Sequence, residues 1–121
     1  MSDVRIGILH AEFALPGARS LKEKRQVLRS VRDRVRHRFA VSCHELPLGD
    51  RPGRGGLVMT TAGEESGPIR QTLDRIAGML RSHPSLVVTQ LDIEVFPWHA
   101  AGQEWADLLD HDPNAEEDDH G

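Results

Sequence analysis

From Leu9 to Leu15 an apolar residue stands at every second position, and from Ser20 onward apolar residues recur at every third or fourth. That switch of period, made twice along the chain, restricts the folds open to it. In VRIGILHAEFAL, Leu9, Ala11, Phe13 and Leu15 share one face of a strand, and Ile6, Ile8, His10 and Glu12 share the other. PGAR turns the chain. Ser20 followed by Glu23 then forms a capping box, in which the hydroxyl takes an orphan amide and the carboxylate returns a bond to the cap. The spacing predicts a helix from there to Phe39, with Leu21, Leu28, Val31, Val35 and Phe39 on its buried face. FAVSCHELPL and GLVMTTA predict two strands joined by the turn-rich GDRPGRG. A second helix opens at SGPIR, where Pro68 suits the first turn, carries Ile69, Leu73, Ile76, Ala77 and Leu80 inward, and is ended by Pro84. SLVVTQLDIEVF is the last strand, with Val87, Leu91, Ile93 and Val95 expected on one face and Val88, Gln90, Asp92, Glu94 and Phe96 on the other.

The order β-α-β-β-α-β is that of an α+β ferredoxin-like plait, a four-stranded antiparallel sheet with both helices on one face. A chain of 121 residues supports one such domain, expected over 1–96. Residues 97–121 are expected to be an extension, with a short helix in PWHAAGQEWADLLDHD and disorder in PNAEEDDHG. Asp3, Arg5, His10 and Glu12 interrupt the N-terminal stretch, so neither a signal peptide nor a membrane span is expected there. Cys43 is the only cysteine, which excludes an internal disulfide and a multi-cysteine metal site. The expected location is cytoplasmic.

Charge is divided unevenly. The chain carries a net charge of −4, yet residues 1–81 hold all fifteen Lys and Arg against nine acidic residues, and residues 82–121 hold ten acidic residues and no Lys or Arg. Eight of the fifteen basic residues lie in Ser20–Phe39. At 100° per residue, Lys22, Arg25, Arg29, Arg32 and Arg36 fall within an arc of about 80° that runs for about 21 Å beside the apolar face. A row of fixed cations meets successive phosphates and releases their counterions, as binding to a nucleic-acid backbone requires. A solvated helix face, partly neutralised by Asp33, is the plain alternative.

The segment LPGARSLKEKRQVLRSVRDRVRHRF closely resembles the part that follows the first strand in the YlxP-like family, a bacterial domain of unknown function. FAVSCHE and LDIEVF sit where that family has similar strands, and Leu15–Arg25 carries the most specific part of the likeness. The resemblance implies a ferredoxin-like fold without established catalytic residues, and genes that lie beside translation-initiation and ribosome-maturation factors. Where relatives often carry Asp-x-Trp-Gln-Arg in the hairpin loop, Asp50, Arg51, Pro52, Gly53 and Arg54 keep the ends and lack the aromatic.

GDRPGRGG could set Arg51 and Arg54 around an anion, but it lacks the Gly-Lys-Ser/Thr ending of a nucleotide loop. Cys43 and His44 are neighbours in a strand and point apart, so they form no nucleophile and base. His10, Glu12, Asp92 and Glu94 share a face, more simply as polar cover than as a metal or catalytic site. That acidic face, with few aromatics, is a poor platform for RNA bases. The expectation is a non-enzymatic binding module, ribosome-associated, that holds RNA or a ribosomal precursor through Lys22, Arg25, Arg29, Arg32 and Arg36, with Arg51 and Arg54 accessory. No catalytic residue, metal or cofactor is assigned. The alternative is a protein-interaction module that forms a homodimer through the open sheet face and has no nucleic-acid role.

Overall fold

The computed structural model describes residues 4–98. Strand β1 (Arg5–Ala14) leads to helix α1 (Leu21–Arg38), strands β2 (Ser42–Leu46) and β3 (Arg54–Gly63), helix α2 (Ser66–Ser82) and strand β4 (Val87–Pro97). The strands form one antiparallel sheet in the order β2-β3-β1-β4. Both helices lie on one face, where Leu28, Val31 and Val35 of α1 and Ile69, Leu73, Ile76 and Leu80 of α2 pack on Leu9, Phe13, Leu57 and Met59. This is the plait that the two periods predict.

Ser20 caps α1, its extended backbone letting the hydroxyl accept the Glu23 amide at 3.1 Å. The returning bond differs from the expected one. Glu23 Oε2 accepts the amide of Arg19 at 2.9 Å, one residue before the cap. The buried face also differs from expectation, because Leu21 is 37% exposed and Lys24 is buried. The stripe Lys24, Leu28, Val31, Val35 sets the centre of that face, and Lys24 lies about 10° from it while Leu21 lies about 50° away.

Two strand assignments are corrected. β3 begins at Arg54, so that residue is part of the sheet and not of the loop. In β4 the register against β1 shifts between Glu12 and Phe13, with Glu12 opposite Gln90 and Phe13 opposite Val88. Thr89 is the extra residue of a bulge, and one extra residue reverses the alternation of every side chain beyond it. Val88 therefore packs against the core, and Val87 is 53% exposed, the reverse of the expected pair.

Gly55 and Gly56 mark where α1, β3 and β1 come closest. A Cβ on Gly56 would lie 2.5 Å from the Ala11 carbonyl oxygen, and one on Gly55 would lie 2.9 Å from Leu28 Cδ1. Trp98 donates its amide to the Val4 carbonyl at 2.8 Å, beyond the last residue of β4. The helix and disorder expected in the C-terminal extension lie outside the described residues. Among the described residues no helix is long and apolar enough to cross a membrane.

Candidate nucleic-acid interface

Helix α1 runs beside the edge strand β2, and the two are stitched together in sequence. Arg36 Nη2 donates to the Cys43 carbonyl. Arg32 pairs with Glu45, and also with Asp33 at 2.8 Å, whose hydrogen bond and charge raise the Arg32 pKa further. Lys24 Nζ donates to the carbonyls of Pro47 at 2.8 Å, Gly49 at 3.0 Å and Arg51 at 2.8 Å. Positions taken backward along α1 thus meet positions taken forward along β2 and the loop after it.

The five-residue stripe is divided by this stitching. Arg32 and Arg36 hold α1 to β2, and the Arg36 bond also covers a carbonyl on an exposed sheet edge. Lys22, Arg25 and Arg29 are exposed, and with Gln26 they line one surface depression of about 320 Å3. None of the three is in an ion pair among the described residues. Arg25 Nε makes only a long bond, 3.4 Å, to the Leu21 carbonyl of its own helix. Lys22 and Arg29 are about 10 Å apart along the helix axis, enough for successive phosphates of a strand.

The two accessory residues separate. Arg51 is exposed in the loop, with its carbonyl held by Lys24. Arg54 lies on the open sheet face, where Nη2 contacts Glu12 Oε1 at 2.8 Å. It belongs to a polar row that continues through His10, 3.4 Å from Glu12 and 3.8 Å from Asp92, to Gln90, which donates to Asp92. These groups satisfy one another on the sheet. Among the described residues no group of three or more His, Cys, Asp or Glu side chains is placed to hold a metal ion. Cys43 is buried and His44 exposed, on opposite faces of β2 as the strand period requires.

Lys24 escapes recognition from sequence because a lysine within a basic helix reads as a solvated residue. The signal was its place on the apolar stripe, four residues before Leu28. A separate cleft of about 480 Å3 lies between the β1–α1 turn, α1 and the α2–β4 turn. Two of its polar groups are engaged locally, since Glu23 accepts from Arg19 and His83 Nδ1 accepts the Ser85 amide. Burial, and then the charge of Arg34, lower the His83 pKa, so its neutral form is favoured there.

Residues 6–93 match the family described as a protein of unknown function, DUF503. The chain belongs to this family. The DUF503 match covers nearly three quarters of the chain and includes all of α1, the loop and the sheet from Ile6 to Ile93. No curated protein matches the chain. DUF503 membership carries no activity with it, so function is read from the site.

Proposed function

We propose that this protein is a non-enzymatic binding module that contacts the phosphate backbone of RNA through the N-terminal half of α1. The observation that carries the reading is the depression lined by Lys22, Arg25, Gln26 and Arg29, where three cations converge and no carboxylate is part of the lining. Cations compensated within the fold have little to gain from a phosphate, and this removes Arg32 from the interface and weakens the case for Arg36. The setting beside translation factors that the family resemblance implies makes RNA the expected polymer. Three contacts to a single strand predict that log affinity falls with log salt at a slope near −2, from about −0.7 per phosphate.

A second reading places a protein partner on the open sheet face. It is favoured by Ile6, Ile8, Val58 and Phe96, which stand half-exposed there among the polar row. Concentration-dependent self-association of the full chain without affinity for RNA supports this alternative.

The test compares wild type with Lys22→Glu/Arg25→Glu/Arg29→Glu and with Arg70→Glu/Arg75→Glu/Arg81→Glu, which reverses three exposed cations of α2. The charge change is the same in both variants. Filter binding to a twenty-nucleotide oligouridylate is expected to be lost in the α1 variant and to survive, weakened, in the α2 variant. Equal losses in both would make the effect one of net charge and end the assignment to α1.

A further inference from the structure

We infer that the loop between β2 and β3, residues 47–53, is a second phosphate-contacting element of the same surface, with Arg51 as its side-chain contact and Lys24 as the residue that positions it. The inference rests on the reading of α1 given above. Lys24 is 2% exposed, and a charged group is taken out of water at this depth only when it is well compensated. Among the described residues no carboxylate pairs with it. Its three N–H donors go to three carbonyls, those of Pro47, Gly49 and Arg51, so the ammonium is saturated by alternate residues of one loop. The chain wraps the charge through left-handed backbone at Leu48, φ 53°, and Gly49, φ 87°. Gly49 takes that conformation without cost, and Leu48 does not.

The wrapping decides what the loop shows to solvent. A trans peptide sets its N–H opposite its C=O, so carbonyls of Pro47 and Gly49 aimed at Lys24 turn the amides of Leu48 and Asp50 away from it. Neither amide has an acceptor among the described residues. Arg51 is exposed between them and Pro52. Outward amides beside a guanidinium form an anion-binding edge, and three of the loop's carbonyls, those of Pro47, Gly49 and Arg51, are turned inward on the lysine. Its position follows from the stitching of α1 to β2. Arg36 meets Cys43, Arg32 meets Glu45 and Lys24 meets 47–51, so the loop lies along the flank that carries Arg25 and Arg29. One strand of RNA crossing Lys22, Arg25 and Arg29 is thereby brought to Arg51. Asp50 is the one carboxylate in the loop and opposes that contact.

The experiment measures salt-dependent binding of oligouridylate to the full chain as wild type, Arg51→Gln, Asp50→Asn, Lys24→Met and Lys24→Met/Arg51→Gln, together with amide hydrogen exchange. With Arg51 as a fourth contact the wild-type slope is about −2.8, and Arg51→Gln is expected to bring it to about −2.1. Asp50→Asn is expected to tighten binding, and Lys24→Met to quicken exchange of the Leu48–Arg51 amides and to make Arg51→Gln without further effect. Wild-type slope and affinity in Arg51→Gln, while the α1 triple variant fails to bind, would overturn the loop and leave the α1 reading standing. Absence of binding in every protein ends both. Unchanged loop exchange in a folded Lys24→Met overturns the positioning role; if Lys24→Met does not fold, Arg51→Gln and Asp50→Asn decide alone.

Discussion

The thiol of Cys43 stands on the inner face of β2, fully buried between the sheet and α1. Burial raises its pKa from 9.0 to about 11, against the opposing pull of Arg36 and Arg32. The linkage has a definite sign. In the unfolded chain the thiol ionises from about pH 9, whereas the folded chain keeps its proton until about pH 11, so stability is lost across that window. A shift of this size corresponds to about 3 kcal/mol once the pH passes the folded value. Urea melts of wild type and Cys43→Ala between pH 8 and pH 11 isolate the thiol, because every other group that titrates in that range is common to the two proteins. Wild type is expected to lose stability relative to Cys43→Ala as pH rises through the window; parallel curves would show that the thiol ionises as freely folded as unfolded. The strand period already placed Cys43 and His44 on opposite faces, so at this scale the sequence was sufficient. It was not sufficient for Lys24, whose neighbours in sequence are charged and whose neighbours in space are the carbonyls of a loop more than twenty residues away.

Helix α1 is set by three local features that sequence does show: a cap, an apolar stripe, and basic residues in its last turn that suit the negative end of the helix dipole. Ser20→Ala removes the acceptor of the Glu23 amide and is expected to lower stability by about 1 kcal/mol, read as a lower urea midpoint with an unchanged slope. An unchanged midpoint would mean that the Arg19–Glu23 bond alone holds the first turn. What the helix does with its charges was legible only in part. The arc of five cations is correct as geometry, but a helical projection does not show that β2 runs alongside and occupies Arg32 and Arg36. The same limit applies to β4. Val87 and Val88 are both apolar, so no pattern in VVTQ announces the bulge at Thr89 that exchanges their faces.

For the whole molecule, the order of elements followed from two periodicities and a few turn residues, since each helix and strand announces itself by local pattern even where, as in β4 at Thr89, its phase shifts part-way. The distribution of charge is a property of the same scale and leads to a final prediction. The net charge of −4 averages a domain that holds every Lys and Arg with a C-terminal stretch, 97–121, that holds eight acidic residues and neither Lys nor Arg. If α1 binds phosphate as proposed, acidic groups in the same chain would compete with it for Lys22, Arg25 and Arg29 at an effective concentration set by their linkage rather than by the solution. Competition of this kind is electrostatic and reaches about 30 Å at 0.01 M salt but only about 8 Å at 0.15 M. The variant Glu116→Gln/Glu117→Gln/Asp118→Asn/Asp119→Asn, in the full chain, is therefore expected to bind oligouridylate several-fold more tightly than wild type at 0.01 M salt. The two should converge as salt rises, so the variant shows the steeper slope. The α1 triple variant should gain nothing from the same four substitutions, because it lacks the cations for which the acids compete. Equal affinities of wild type and the neutralised chain at low salt would show that these acids do not act on α1, and a gain that persists undiminished at high salt would show that they act by a route other than charge.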